Sequence, residues 1–244
     1  MTEEMDAARP EAGPSPNLAA RLFGVILSPR STFAAIVDRP RPFGALLVVC
    51  LLSAAPGVWL SSTDLGKRLL LEQQVEGMQS FGITVTDEVV AEMERSLENA
   101  PYFAAGGTLA SVPIFAFVIA GLVWTACYVI LGAQAPFKAM FAVVTHVGVV
   151  GVVQQFFMVP LNYARGVMSV PTTLAALLPM LEEGSFIHRT LSLVELFTVW
   201  QLFLLAVGTG VLFKRRTGPI ATTFYSLYAV IAIAAGFIMS RLGG

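Results

Sequence analysis

Long apolar runs separated by short polar ones dominate the chain. Five runs approach the ~20 residues a helix needs to cross the hydrocarbon of a bilayer. They are residues 43–60, 108–131, 139–160, 191–212 and 219–239. The first is the shortest, and Pro56 sits near its end, so its boundary is the loosest. The pattern predicts an all-α, polytopic transmembrane helix bundle of five spans with amphipathic surface helices, forming a single domain over residues 17–240.

Two stretches outside the runs carry helical periodicity. In residues 17–37, Leu18, Leu22 and Ile26 recur at spacing four, with Arg21 off that stripe. Ser28-Pro29 reads as an N-cap followed by proline at the first helical position, and Phe33, Ile36 and Val37 give a second short apolar face. Two short helices are expected, either lying on the membrane surface or packed against the loops of the bundle. In residues 61–107, Leu71, Val75 and Met78 form one stripe and Val89, Met93 and Leu97 another. Thr86-Asp87-Glu88 reads as a helix start with acids in the first turn. Two amphipathic helices capping one mouth of the bundle are expected there. Residues 1–16, rich in acids and proline and without an apolar core, read as a disordered cytoplasmic tail and not as a signal peptide.

Composition sharpens the class. Of 244 residues, 56% are hydrophobic and only 13% charged, about half the ~25% usual in soluble domains. The net charge of −1 argues against nucleic acid as a partner. Orientation follows from basic residues in short loops. Lys138, Lys214, Arg215 and Arg216 fall on one side with Arg9, Arg21, Arg30, Arg39 and Arg41 of the N-terminal segment. Lys67, Arg68, Arg95, Arg165, Arg189 and Arg241 are spread over longer segments on the other. A cytoplasmic N-terminus and an extracytoplasmic C-terminus are expected. The 61–107 loop then lies outside the cytoplasm, with a net charge of −5. Its acids read more readily as a solvated face than as a cation site, since no calcium-loop pattern is present.

Ionisable residues inside spans are functional candidates by default. Here they are His146 and Glu195, accompanied by the amides Gln154, Gln155 and Gln201. At ~1.5 Å per residue, His146 and Gln201 fall about 12 and 16 Å from one edge, and Glu195, Gln154 and Gln155 about 25 Å from it. Two polar layers joining the third and fourth spans are expected. The five residues read either as a polar path with His146 and Glu195 titrating, or as hydrogen-bond links between helices. The second is the commoner use of such groups. Small residues at Ala116/Ala120 and Ala232/Gly236 favour close helix packing. No metalloprotease, nucleophile-elbow or Walker pattern occurs, so neither an enzyme, a cofactor nor a metal is expected. Cys50 and Cys127 have no metal or disulfide spacing.

The run from Leu191 through Glu195-Leu-Phe197, Trp200 and Gln201 to Gly208 resembles the fourth span of the Yip (Ypt/Rab-interacting protein) domain family, bacterial branch. The basic turn Lys214-Arg215-Arg216, the entry motif Ser28-Pro29 to Phe33, the pair Phe137-Lys138, and Thr173 to Leu177 are similar to the same family in order and spacing. The resemblance implies a five-span integral protein of the bacterial inner membrane with a cytoplasmic N-terminus. Glu195 stands where the family often has Asp. Family members in eukaryotes bind small GTPases, but a tail of about 16 residues lacks the long N-terminal region that accompanies that role. The reading reached is a non-enzymatic adaptor, scaffold or accessory subunit, in contact with the lipid bilayer and with a membrane-protein partner or a second copy of itself. The alternative is a passive transporter or lipid scramblase using a groove between the third and fourth spans.

Overall fold

The computed structural model describes residues 17–80, 82–132, 134–182 and 184–242. The segment 1–16, read above as a disordered tail, lies outside them. Among the described residues the fold is helical, with one β-bridge between Thr173 and Glu195. The helices are α1 (Leu18–Leu27), α2 (Pro29–Asp38), α3 (Pro42–Ser61), α4 (Asp64–Ser80), α5 (Asp87–Ser96), α6 (Ala100–Leu131), α7 (Phe137–Val147), α8 (Val149–Arg165), α9 (Phe186–Ser192), α10 (Leu196–Leu212) and α11 (Thr217–Leu242).

Four helical runs are long and apolar enough to cross a membrane: 42–61, the run 87–129 that contains α6, the run 137–165 formed by α7 and α8, and 217–241. The fourth expected span, 191–212, is shorter than its apolar run. Helix α10 begins at Leu196, not Leu191, because Glu195 adopts an extended backbone and caps it. At 17 residues it is ~25 Å long. The spans pack as a row. Helix α6 lies on α3 and on α7, α3 lies on α7 and α8, these lie on α10, and α10 lies on α11. The middle of the row is therefore the core: half of the most apolar stretch of 137–165 is buried, against 11% for α11 and 17% for the run containing α6. The two end helices turn their apolar faces outward, which only a lipid or protein environment accommodates.

The segment before the first span packs into the bundle. Asn17 caps α1 by accepting from the Ala20 N–H (2.8 Å). Phe33 and Ile36 of α2 are fully buried in the core formed by α7 and α10. Ser28 departs from its expected role: it stands before Pro29 as predicted, but its side chain makes no cap bond. Its carbonyl accepts from the Thr32 hydroxyl instead (2.9 Å). The stripe read on α1 also shifts. Arg21, Leu22 and Val25 are the buried residues, because α1 turns one flank to the bundle and takes Arg21 under it. The Arg21 guanidinium donates to the Arg39 carbonyl (3.0 Å). Burial first, then the charges of Arg41 and Arg39, hold its pKa below the usual arginine value.

Helices α4 and α5 form the expected cap. Thr86 caps α5 through the Val89 N–H. Leu71, Val75, Met78, Val89 and Met93 are half-buried and Leu97 is buried, so the two apolar stripes face inward. Every acid of the 61–107 segment is exposed.

Candidate functional site

Helices α3, α6, α7, α8 and α10 enclose a cleft of about 500 Å³. Gln154 and Gln155 of α8 and Gln201 of α10 line it, together with Ser53 of α3, Thr108 and Ser111 of α6, Thr145 of α7 and Thr198 of α10. The remaining wall is aliphatic or aromatic, with Leu46, Val49, Phe115, Ile119 and Leu205 among its residues, and no charged side chain contributes. Gly151 of α8 faces Gln201 across the cleft: a Cβ there would lie in ordinary contact, 3.6 Å, with the Gln201 amide nitrogen. Within the described residues none of the three glutamine side chains makes a hydrogen bond. An amide in that position calls for an outside partner, because an unmet polar group in hydrocarbon is costly.

The structure does not form the two expected layers, Gln201 with His146 and Gln154 and Gln155 with Glu195: the three amides share one cleft, and the two ionisable residues do not line it. His146 is fully buried and points away from the cleft that its neighbours Thr145 and Val147 line. Its Nδ1 lies 2.7 Å from the Ala142 carbonyl one turn earlier. A carbonyl only accepts, so Nδ1 carries the proton. The lone pair on Nε2 meets no partner among the described residues. Among the described residues His146 is thus held by its own helix and not by Gln201 or Glu195.

Glu195 lies at a helix start, not within a span. Its Oε2 accepts from the Thr198 N–H (2.8 Å) and hydroxyl (3.1 Å), and the Thr172 hydroxyl donates to Oε1 (2.7 Å). The Glu195 N–H donates to the Tyr228 hydroxyl (3.2 Å), which in turn donates to the Leu193 carbonyl (2.7 Å). The Leu196 N–H and the Thr172 carbonyl (3.0 Å), and the Leu174 N–H and the Val194 carbonyl (2.9 Å), complete a small latch between the 170–175 turn and α10. Every lone-pair direction of the carboxylate that the fold reaches is used structurally, and the helix N-terminus suits its charge. Thr172 and Tyr228 were not singled out from the sequence. Spacing gives no signal that a threonine 23 residues upstream and a tyrosine 33 residues downstream meet one glutamate.

Gln155 also lines a second cavity, of about 450 Å³, walled by Ser61, Leu70, Gln74, Ser96, Leu97 and Met168 among others, beneath the α4–α5 cap. The mid-bundle cleft and the space under the cap therefore share one polar wall.

Comparison with known proteins agrees with this architecture. The family model described as the Yip1 domain matches residues 23–239. The chain is similar to a protein described as membrane protein YknW from Bacillus subtilis (strain 168), with 26% identity over 227 residues, covering 91% of this chain and 92% of that protein. No solved structure matches the chain.

Proposed function

The chain belongs to the Yip1 domain family of membrane proteins, and on that premise we propose that it is a non-enzymatic scaffold or accessory subunit that binds a membrane-protein partner through its α4–α5 hairpin. The carrying observation is that α5 buries none of its own residues while all the acids around it are exposed. Among the described residues only Glu92 of these acids is ion-paired, to Arg95 (3.1 Å). A face so charged and so little used by the fold suits a partner with a basic surface near the membrane, where complementary charge steers association and fixes register. The cleft then supplies a second contact, since its free amides match a polar side chain on a neighbouring transmembrane helix.

Crosslinking in intact membranes, followed by purification of the full chain, tests this reading. A stoichiometric partner should be recovered with the wild type. It should be reduced several-fold by the combined substitutions Asp87→Asn, Glu88→Gln, Glu92→Gln and Glu94→Gln. Recovery of the chain alone, or a partner indifferent to those substitutions, rules the adaptor reading out.

The shared wall at Gln155 favours one alternative, passage of lipid or small solutes through the cleft toward the cap. Purified protein in phosphatidylcholine vesicles should then accelerate lipid exchange between leaflets. Gln155→Trp, which places an indole at the wall both cavities share, should abolish that acceleration. The adaptor reading expects no acceleration in either protein.

A further inference from the structure

The end of α10 is a turn with an unusual occupant. The Arg215 N–H donates to the Gly210 carbonyl (2.8 Å) and the Lys214 N–H to the Val211 carbonyl (3.3 Å). This is the two-bond helix stop in which the residue after the C-cap is left-handed and ordinarily glycine. Here that residue is Lys214, with φ of 52°, the one non-glycine residue with positive φ among those described. A strained lysine where glycine would sit relaxed suggests that its side chain has a use.

Helix α2 supplies the opposite wall. Phe33 is fully buried against Gly208, where any Cβ would collide with Phe33 and Val143. That contact fixes α2 beside the end of α10 and places Arg30, one turn before Phe33, over the turn. The result is a cavity of about 570 Å³ lined by Arg30, Ala34, Gly210, Lys214, Arg215 and Arg216 among others. None of its lining residues is acidic. Among the described residues none of the four cations is ion-paired. Thr217, the first residue of the long helix α11, completes the lining, and the positive end of that helix adds to the field. The cavity lies between the end of α10 and the start of α11, two apolar helices, and the end of an apolar helix is where headgroups begin when such a helix spans a bilayer.

All four cations are exposed around this space, and like charges gathered there favour an anion among them. We propose that this cavity binds a phosphate group, that of an anionic phospholipid headgroup, with Arg30, Lys214, Arg215 and Arg216 as its ligands. Basic pockets at the ends of transmembrane helices suit such headgroups, and arginine offers paired donors to phosphate oxygens.

The test uses the full chain purified in detergent, incubated with phosphatidylglycerol or phosphatidylcholine and weighed intact by native mass spectrometry. The wild type should retain phosphatidylglycerol about tenfold better than phosphatidylcholine. Arg30→Gln with Arg216→Gln should bring the two lipids to parity. Lys214→Gly should weaken retention several-fold while its thermal midpoint stays at or above that of the wild type, so that lost binding is not lost folding. Millimolar inorganic phosphate should neither displace the lipid nor shift the midpoint. If inorganic phosphate does both, and the arginine variant cancels its effect, the ligand is a soluble phosphate and the lipid assignment fails. Equal retention of both lipids by the wild type with no response to phosphate, or phosphatidylglycerol retention unchanged in the variants, overturns the site itself.

Discussion

At the scale of residues, Glu195, Phe33 and Lys214 each hold a position that their neighbours in sequence do not explain. Glu195 accepts from a helix-first-turn N–H and from two threonine hydroxyls. Glu195→Ala should lower stability by about 1–2 kcal/mol through loss of the cap, read as a drop in thermal midpoint of the purified protein. Glu195→Gln, which keeps an oxygen acceptor, should cost less. A variant Glu195→Ala that melts like the wild type would leave the carboxylate without its structural role. Phe33 has no exposed surface, and Phe33→Ala should cost about 3–5 kcal/mol. Gly208→Ala should cost about 1–3 kcal/mol by overpacking, since the new methyl meets Val143 and Phe33. These two residues sit in separate stretches of the family resemblance, the entry motif before the first span and the end of the fourth. The structure brings them together, and the glycine leaves room for Val143 first and for the Phe33 ring beside it. Lys214→Gly relieves the left-handed backbone and should change stability by less than about 1 kcal/mol, in the favourable direction.

Helices α7 and α8 were legible as one apolar run at the scale of elements, and the structure keeps them nearly continuous through Gly148, whose N–H still reaches the Val144 carbonyl (3.1 Å). Helix α10 was only partly legible. Hydropathy alone extends it back to Leu191, but a carboxylate that can cap the chain, and a tyrosine that can accept the Glu195 N–H, end the helix at Leu196. That start is fixed from outside, by α11 and the 170–175 turn. Tyr228→Phe removes the acceptor of the Glu195 N–H and the donor to the Leu193 carbonyl. It should lower stability by about 1–2 kcal/mol and speed hydrogen exchange at Glu195 more than at Val207, deep in α10. Uniform exchange along α10 in the variant would contradict the latch. The pair α1–α2 shows the converse: periodicity predicted both helices, and both form, but it left open what they rest on. Phe33 and Ile36 decide for the bundle.

The whole molecule is a row of helices with a lined cleft near its middle and basic and acidic ends. The order of the row follows from burial. The run of α7 and α8 is the most buried of the long apolar runs and α11 the least, so the sparsely packed ends are the surfaces left for lipid or for a partner. Helix α10 is ~25 Å long against a hydrocarbon thickness of ~30 Å, a mismatch that local thinning accommodates. If it crosses, the chain makes five passes and its termini lie on opposite sides. Cysteine labelling with a membrane-impermeant reagent, at Ser15→Cys and Ser240→Cys in a background lacking Cys50 and Cys127, should modify only the second in intact cells. Labelling of both or of neither would reduce the crossings to four, and labelling of both would also move the acidic hairpin to the cytoplasmic side.

The sequence by itself determined the membrane class, the helical fold, the short paired helices before the first span and the amphipathic cap. Each of these is set by local quantities: run length against bilayer thickness, periodicity within one helix, and charge within one loop. It also marked His146, Glu195, Gln154, Gln155 and Gln201 as the polar residues worth following, because a polar group in an apolar run stands out without any knowledge of neighbours. Tertiary structure alone decided which of the candidates share a site. Direction around a helix, and a start for α10 set by distant Tyr228 and Thr172, put the three amides on one cleft, turned His146 into the core and made Glu195 a cap. The same holds for the basic cavity: Lys214-Arg215-Arg216 is plain in the sequence, but Arg30 joins it only because Phe33 seats on Gly208, a contact between segments some 175 residues apart.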